Sequence, residues 1–301
     1  MTAQTTDAAR VSEWRAVLAA AIGSSLVGTV PMFAVGLYAQ GMDVASLLFW
    51  RYGIALTLLW PLAIITSPSL AEDWRRAGRG LFLNGMTLGV LQTFTYFRAV
   101  QSLPSSVVIT IFFAYPMMTL IIDRLAFGKS IRLGSVIAVG LIFCGALLAG
   151  WPSLKFDGSD PLALLCAIAT PVGFAAYIAI AYRFTRQSSP FAGAASIYSG
   201  LFVGYLAVVA LLGLTFPIGP AGWGSVLAIG VIGGVIQISS FAYALPRLSS
   251  SGYSIIVSLE LVTVVLLGVT VLGETLSPIQ AIGVAIVAVG IVTDRLSRAR
   301  S

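Results

Sequence analysis

Residues 85–92 read Gly85-Met86-Thr87-Leu88-Gly89-Val90-Leu91-Gln92, and residues 230–237 read Gly230-Val231-Ile232-Gly233-Gly234-Val235-Ile236-Gln237. Both stretches fit the pattern G-x-x-x-G-V-x-Q, and they are separated by a constant offset of 145 residues. The same offset continues without a gap through further identical pairs: Ala99 with Ala244, Leu103 with Leu248, Ser105 with Ser250 and Gly128 with Gly273. A long apolar chain that repeats itself in this way is typical of two fused copies of one membrane unit.

The composition is that of an integral membrane protein. Of the 301 residues, 58% are hydrophobic and only 9% are charged, whereas a soluble domain carries about 25% charged residues. The net charge of +6 is scattered and forms no clustered basic face, so we expect no nucleic-acid partner. Histidine is absent, which excludes histidine-based metal sites, catalytic triads and proton relays, and we expect no cofactor. Cys144 and Cys166 lie in apolar runs, where we expect packing residues and no disulfide.

Ten apolar runs are long enough to cross a bilayer, because a spanning helix needs about 20 mainly apolar residues. They cover roughly 15–39, 44–66, 80–100, 103–123, 131–151, 161–183, 191–213, 221–245, 249–272 and 277–295. The runs are long and continuous, which favours helices over strands. The sequence therefore predicts an all-α integral membrane protein with ten transmembrane helices. Residues 1–12 show no signal-peptide pattern, and we expect them to form a disordered cytoplasmic N-terminus.

Basic residues alternate along the chain in step with the ten spans. If the N-terminus is cytoplasmic, 14 of the 17 Arg and Lys residues fall on the cytoplasmic side, as the positive-inside rule requires. The exceptions on the outer half are Arg51, Arg98 and Lys155. We therefore predict that both termini are cytoplasmic, with a short tail at 297–301.

Five spans per copy is an odd number, so the second copy enters the membrane from the opposite side. The chain is predicted to consist of two inverted five-helix repeats, 13–152 and 153–296. Many secondary transporters have this architecture, with the substrate site between the copies near the membrane midplane. One chain supplies both copies, so a monomer is sufficient.

The repeated glutamines, Gln92 and Gln237, fall near the middle of the third and eighth spans. Lipid offers no hydrogen-bond partner to a primary amide, so we expect the two side chains to line one central cavity and bind a polar substrate. The alternative is that they join helices to each other, a common task of glutamine in membranes. For the repeated glycines, by contrast, we favour close helix packing.

Glu260 is the only acid deep in a predicted span, where an ionised carboxylate is costly unless it is paired or faces water. It is a candidate ligand for a substrate amine, a candidate proton carrier, or one half of a structural salt bridge. Arg51 is its natural partner candidate, although nothing in the sequence brings the two together. Arg51 itself is a candidate substrate ligand or a side chain that reaches the outer interface.

Prolines interrupt three apolar runs, at Pro31, Pro116 and Pro171. A proline within a helix removes one hydrogen bond and frees the carbonyl four residues earlier. Such breaks bind polar groups or act as hinges in alternating access, so all three are candidate hinges, with simple kinks as the alternative.

Tyrosines offer flat apolar faces with a hydroxyl at the tip, and three of them are candidates to line the substrate pathway. Tyr96 follows Gln92 by four residues and shares its helix face, Tyr243 stands in the matching helix of the second copy, and Tyr115 precedes Pro116. The alternative for such residues is the aromatic belt at the membrane interface.

Short motifs stand at intervals along the chain. They are Gly23-Ser24-Ser25, Phe49-Trp50-Arg51-Tyr52, Ser258-Leu259-Glu260-Leu261 and Leu272-Gly273-Glu274-Thr275-Leu276-Ser277-Pro278. Their set and order resemble the drug/metabolite transporter superfamily, in its ten-helix EamA-type branch, over nearly the whole chain. Two positions depart from the family pattern, since Ile22 replaces the usual tryptophan and Leu261 replaces a proline.

This resemblance implies export or exchange of small metabolites, including amino acids, with the last helix of each copy lying peripherally. The resemblance is closest to bacterial amino-acid exporters, in particular exporters of aromatic amino acids. It also implies a multi-pass protein of the bacterial inner membrane.

The leading hypothesis is a facilitative secondary transporter that exports small polar or zwitterionic metabolites, with amino acids as the expected substrates. A pathway of neutral polar and aromatic groups suits a net-neutral substrate, whereas phosphorylated metabolites need deep Lys or Arg clusters. The open alternatives are an exporter of lipophilic or cationic drugs and a metabolite exchanger of the same superfamily. The sequence contains no ATP-binding motif, so no ATP-binding subunit is implied. It also lacks the nucleophile–base pair or metal cluster of an enzyme.

Overall fold

The computed structural model of the protein describes residues 2–103, 105–150, 160–270 and 275–299. Within these ranges the regular structure is entirely helical, which confirms the predicted all-α fold class. The helices are α1 (Thr2–Val27), α2 (Val30–Ala39), α3 (Val44–Thr66), α4 (Leu70–Asp73), α5 (Arg79–Asn84), α6 (Val90–Ser102), α7 (Ser105–Phe112), α8 (Tyr115–Phe127), α9 (Leu133–Gly150), α10 (Pro161–Thr185), α11 (Pro190–Leu212), α12 (Gly219–Gly230), α13 (Gln237–Leu248), α14 (Ser250–Val257), α15 (Leu259–Thr270) and α16 (Pro278–Ala299). Short π-helical turns join some of them, at Trp74–Gly78, Gly85–Gly89 and Val231–Ile236.

In the described part of the chain, nine helical segments are long and apolar enough to cross a membrane. They correspond to nine of the ten predicted runs. The remaining run, 80–100, is also helical, through α5, the π-helical turn Gly85–Gly89 and α6. Polar residues such as Asn84 and Gln92 make it less apolar than the other spans. The chain is therefore an integral membrane protein.

The N-terminal helix is longer than the sequence suggested. The sequence predicts a first span beginning near residue 15 and a disordered segment over residues 1–12. In the structure α1 begins at Thr2 and continues to Val27 without a break.

The chain divides into two compact units. Unit 1 consists of Met1–Thr87 and Ile180–Tyr253, and unit 2 consists of Leu88–Ala179 and Ser254–Ser301. Each unit draws helices from both sequence copies, so the compact units and the sequence copies do not coincide.

Glycines of the repeated pattern allow helices of unit 1 to pack closely. A Cβ added at Gly230 would lie 2.6 Å from Ile54, and one added at Gly234 would lie 2.8 Å from Ala55. A Cβ added at Gly85 would lie 2.2 Å from the carbonyl oxygen of Ile197. These distances confirm close packing, rather than substrate contact, as the structural reason for these glycines.

In unit 2 the fifth and tenth predicted spans, α9 and α16, pack tightly against each other. A Cβ added at Gly145 would lie 2.6 Å from the carbonyl oxygen of Gly283, and one added at Gly283 would lie 2.5 Å from Ala149 N. Ser135 Oγ of α9 donates a hydrogen bond of 2.7 Å to Asp294 Oδ1 of α16. The last helices of the two copies thus form one pair, held by small residues and a buried hydrogen bond.

Helix interruptions recur at matching places in the two copies. The π-helical turns Gly85–Gly89 and Val231–Ile236 contain the repeated pattern. The break between α7 and α8 includes Phe113, and the break between α14 and α15 falls at Ser258, 145 residues later. The repeat therefore extends from sequence to local backbone geometry.

The three candidate hinge prolines occupy different structural positions. Pro31 and Pro116 lie in the first turns of α2 and α8, directly after helix breaks. A proline in the first turn costs no helical hydrogen bond. Pro171 lies inside α10, which continues through it. The function of all three as hinges stays a prediction.

Candidate functional site

A buried arginine organises the polar interior of unit 1. Arg51 lies on the third turn of α3 and is only 8% exposed. Its Nε donates a hydrogen bond of 3.1 Å to the carbonyl oxygen of Gly233, and its Nη2 donates to the same oxygen. Nη2 also donates to Gln237 Oε1 at 2.9 Å. Two candidate site residues that are 186 positions apart in sequence therefore touch.

Tyr198 of α11 completes this arrangement. Its hydroxyl donates to the Gly233 carbonyl at 3.1 Å and approaches Gln237 Oε1 at 3.3 Å. The Tyr52 ring lies edge-on to the Tyr198 ring, with centroids 5.0 Å apart, and 5.6 Å from the Arg51 guanidinium carbon. We call Arg51, Tyr198, Gln237 and the Gly233 carbonyl the Arg51 cluster.

Local backbone structure explains why a carbonyl is available to these side chains. Gly233 lies within the π-helical turn Val231–Ile236, where the hydrogen-bond register of the helix changes. Glycine is needed here because of Val30: a Cβ at this position would lie 2.7 Å from Val30 Cγ2, whereas its distance of 3.4 Å to Arg51 Nη2 would be an ordinary contact. The π-helical turn thus presents one carbonyl to two side chains from other helices.

The energetics favour a firmly held guanidinium. A hydrogen bond that involves a charged group contributes about 1.5–3 kcal/mol, and a buried charge that loses its partners is strongly destabilising. Arg51 donates repeatedly to one turn of a neighbouring segment. The Arg51 cluster therefore ties α3 to the helix that carries Gln237.

The first turn of α3 is itself fixed by an acidic cap. Asp43 accepts hydrogen bonds from Ser46 N at 2.9 Å, from Ser46 Oγ at 2.6 Å and from Thr215 Oγ1 at 2.9 Å. Burial acts to raise the pKa of the Asp43 carboxyl, but the hydrogen bonds from Ser46 and Thr215 outweigh it and hold the pKa below its usual value. Trp50 Nε1 also donates to the Thr215 carbonyl, at 3.0 Å. These contacts fix the helix end from which Arg51 projects.

Aromatic rings form a continuous group in unit 2. Phe112 lies 5.5 Å from Tyr96, 4.9 Å from Tyr115 and 5.2 Å from Phe174, measured between ring centroids. Phe174 also stacks on Tyr177, with centroids 6.1 Å apart and planes 14° from parallel. We call these five residues the aromatic group. It contains Tyr96 and Tyr115 of the predicted site residues.

Hydroxyl groups hold the helix breaks of unit 2. Tyr115 OH donates to the Ser254 carbonyl at 3.0 Å, and Ser254 Oγ donates to Thr119 Oγ1 at 3.2 Å. Ser258 Oγ donates to the same Ser254 carbonyl, at 3.2 Å. The Tyr115 hydroxyl therefore stabilises the packing of the helices at these breaks, in addition to any contact that Tyr115 makes with a substrate.

The other candidates in unit 2 have less defined surroundings. Gln92 is half-buried in α6 and packs on α10, where a Cβ added at Gly173 would lie 3.3 Å from Gln92 Cβ. Glu260 is half-buried in the first turn of α15. Their functions stay predictions.

Tyr243 does not join the Arg51 cluster. It lies six residues after Gln237, which places it on a different face of α13. The Arg247 guanidinium carbon lies 3.9 Å from its ring centroid, and Arg247 Nη1 donates to its carbonyl at 2.6 Å. Its place on the pathway stays a prediction.

The sequence indicates Arg51 and Gln237 as separate candidates but does not indicate their partners. Tyr198 is one of several tyrosines in the spans, and nothing in the sequence sets it apart. The Gly233 carbonyl is a backbone atom without a side-chain signature. One signal was present: Gly233 stands where the first copy has Leu88, so the second copy has two adjacent glycines.

The family model of the EamA-like transporter family matches the chain twice, over residues 14–151 and again over 161–293. No curated protein matches the chain. A solved crystal structure shares 18% sequence identity and superposes with a TM-score of 0.79, covering 96% of this chain and 99% of the other. At that identity the likeness shows the fold alone.

Proposed function

This chain belongs to the EamA-like transporter family, and we propose that it exports small zwitterionic metabolites, principally amino acids, by alternating access. Family membership makes it a multi-pass transporter of the drug/metabolite superfamily. The observation that carries the proposed substrate class is the Arg51 cluster, a buried guanidinium bound to neutral groups of the π-helical turn.

A fixed buried cation favours one class of substrate over another. A carboxylate is attracted to a guanidinium and forms strong charge-assisted hydrogen bonds with it. A lipophilic cation is repelled, and the repulsion is strong where little water screens the charges. The Arg51 cluster therefore supports amino acids over the alternative of lipophilic or cationic drugs.

The aromatic group of unit 2 separately supports an apolar side chain on the substrate. Three of its rings, Tyr96, Phe112 and Phe174, are only half-buried and offer flat apolar surfaces. Such surfaces favour aromatic and large aliphatic groups. Within the amino acids, this favours substrates such as phenylalanine and leucine.

We further propose that transport is facilitative. The chain has no histidine, and Glu260 is the one acid deep in a predicted span. An exporter of accumulated metabolites needs no second driving force, because the substrate gradient already points outward. We place the protein in the bacterial inner membrane with both termini in the cytoplasm, as the distribution of basic residues favours.

Transport by the purified protein in liposomes tests this proposal. We expect efflux of L-phenylalanine and L-leucine down their gradients, and no movement of tetraphenylphosphonium. Arg51→Gln should slow amino-acid efflux by about tenfold or more, which corresponds to the free energy of one hydrogen bond to a charged group. Arg186→Gln, at an exposed position after α10, is the matched control and should transport normally. Movement of tetraphenylphosphonium without amino-acid efflux would refute the proposal.

A further inference from the structure

The orientation of the Gln237 amide is fixed by chemistry. The oxygen and nitrogen of a glutamine amide are normally hard to distinguish, and the hydrogen-bond partners decide the assignment. Arginine can only donate. The atom that faces Arg51 Nη2 at 2.9 Å must therefore be the amide oxygen.

This orientation turns the amide nitrogen away from the Arg51 cluster. None of the described residues accepts a hydrogen bond from Gln237 Nε2, and the atom is not sealed inside the protein. Gln237 lies in the middle of the span Gly219–Leu248, where lipid offers no acceptor. Two N–H donors are therefore left for water or for a transported molecule.

The bound guanidinium strengthens these donors. A hydrogen bond to the amide oxygen polarises the amide, and chains of hydrogen bonds reinforce one another in a low-dielectric interior. Because the donor to Gln237 Oε1 is a cation, the N–H groups of Nε2 become more positive. A negatively charged acceptor is the group that gains most from them.

We propose that Gln237 is a specificity-determining residue whose Nε2 binds the carboxylate of the transported molecule and selects against amines that lack one. This inference rests on the proposed function for its transported molecule. Arg51 and Tyr198 act as positioning residues, because they hold the amide in the one orientation that offers only donors.

The repeated glutamine of the first copy does not share this property. At the offset of 145 residues, Arg51 corresponds to Ser196 and Tyr198 corresponds to Gly53. Among the described residues, none binds the side-chain amide of Gln92. The amide of Gln92 is thus free to present either its oxygen or its nitrogen.

Three probes separate the two ends of an amino acid: L-phenylalanine, 3-phenylpropionate without the amine, and phenethylamine without the carboxylate. Gln237→Glu keeps an acceptor toward Arg51 and replaces the outward donors with a negatively charged oxygen. We expect it to slow efflux of phenylalanine and 3-phenylpropionate by about tenfold or more, and to leave phenethylamine unchanged or faster. Gln187→Glu, at an exposed position after α10, is the matched control and should change none of the three.

A second measurement reads the amide directly and does not require transport. The full chain is labelled with 15N-glutamine in lipid nanodiscs, and Gln237→Leu identifies the Gln237 side-chain signals. We expect 3-phenylpropionate and phenylalanine to shift these signals and phenethylamine to leave them in place. The Gln92 signals serve as the internal reference.

The two measurements distinguish failure of this inference from failure of the proposed function. If phenylalanine is transported but the Gln237 signals respond to no carboxylate, or respond equally to phenethylamine, the inference is wrong and the function stands. If none of the probes is transported but the carboxylates still shift the Gln237 signals, the proposed function is wrong and the inference stands. Silent signals together with absent transport would overturn both.

Discussion

A single methyl group at Gly233 should damage the Arg51 cluster. In Gly233→Ala the new Cβ would lie 2.7 Å from Val30 Cγ2 and 3.4 Å from Arg51 Nη2. The first distance is shorter than real Cβ contacts allow, so either Val30 or the Gly233 backbone must move, whereas the second is an ordinary contact. Val30 is β-branched and has few rotamers in a helix, so we expect part of the strain to shift the Gly233 backbone, whose carbonyl Arg51 binds.

The expected cost follows from two effects. Overpacking a well-filled interior destabilises by about 1–3 kcal/mol, and a shift of the Gly233 carbonyl weakens hydrogen bonds from Arg51 that contribute about 1.5–3 kcal/mol each. Gly224→Ala in α12 is the matched control, because a Cβ there meets nothing within 4 Å. It should be neutral or stabilising, by about 0.5–1 kcal/mol, since alanine is the better helix former. We expect the two variants to differ by about 2 kcal/mol or more.

Thermal unfolding of the purified variants in detergent measures the stability difference, and efflux of L-phenylalanine from liposomes measures the functional one. Gly233→Ala should lose more transport than its fraction of folded protein explains, because a shifted Gly233 carbonyl holds Arg51 less firmly. A Gly233→Ala protein that is as stable and as active as Gly224→Ala would show that this close approach is unnecessary.

Further predictions concern packing, topology and coupling. Gly283→Ala should destabilise the α9–α16 pair by about 1–3 kcal/mol, because its Cβ would lie 2.5 Å from backbone atoms of α9. Gly140→Ala is the control and should not destabilise the pair, because a Cβ there meets nothing within 4 Å. Equal melting temperatures of the two variants would contradict this prediction. In a cysteine-free background, an impermeant thiol reagent should label a cysteine at the exposed position 216 in intact cells. It should label a cysteine at the exposed position 187 only after the cells are permeabilised. The reverse pattern would show that the termini are not cytoplasmic. Glu260→Gln should leave transport down a gradient insensitive to an imposed pH step, as in the unmutated protein, and uphill accumulation driven by a pH step alone would disprove facilitated transport.

The helical architecture could be predicted because it depends on composition and length. An apolar run of about 20 residues has no alternative to a helix in lipid, and the constant offset of 145 residues predicted the twofold family match. The helix interruptions could not be predicted in the same way. The π-helical turns Gly85–Gly89 and Val231–Ile236 both occur at the repeated glycine motif, but the length and composition of an apolar run contain no information about the hydrogen-bond register inside a helix.

Individual residues of the candidate site could be predicted from the sequence, but the contacts between them could not. Arg51 and Gln237 stood out because charges and amides are rare and costly within spans. Their contact across 186 positions requires tertiary structure, and so does the carbonyl of Gly233. Arg51 donates hydrogen bonds to a carbonyl and to an amide oxygen within unit 1, which charge alone could not indicate; its pairing with Glu260 stays a prediction.

The two copies share a backbone pattern but not the chemistry placed on it. Both have the glycine motif, the π-helical turn and the glutamine, yet Arg51, Tyr198 and Gly233 of the cluster correspond to Ser196, Gly53 and Leu88 in the other copy. A duplicated pair of identical sites would suit a symmetric substrate, or one that binds in two orientations. The proposed amino-acid substrate has two unlike ends. The cluster joins Arg51 of the first copy to Tyr198 and Gln237 of the second, and because the swapped positions carry other residues, it forms in one orientation only. The loss of sequence identity around the repeated glutamines is therefore the change expected of a duplicated transporter that recognises a zwitterion by its carboxylate.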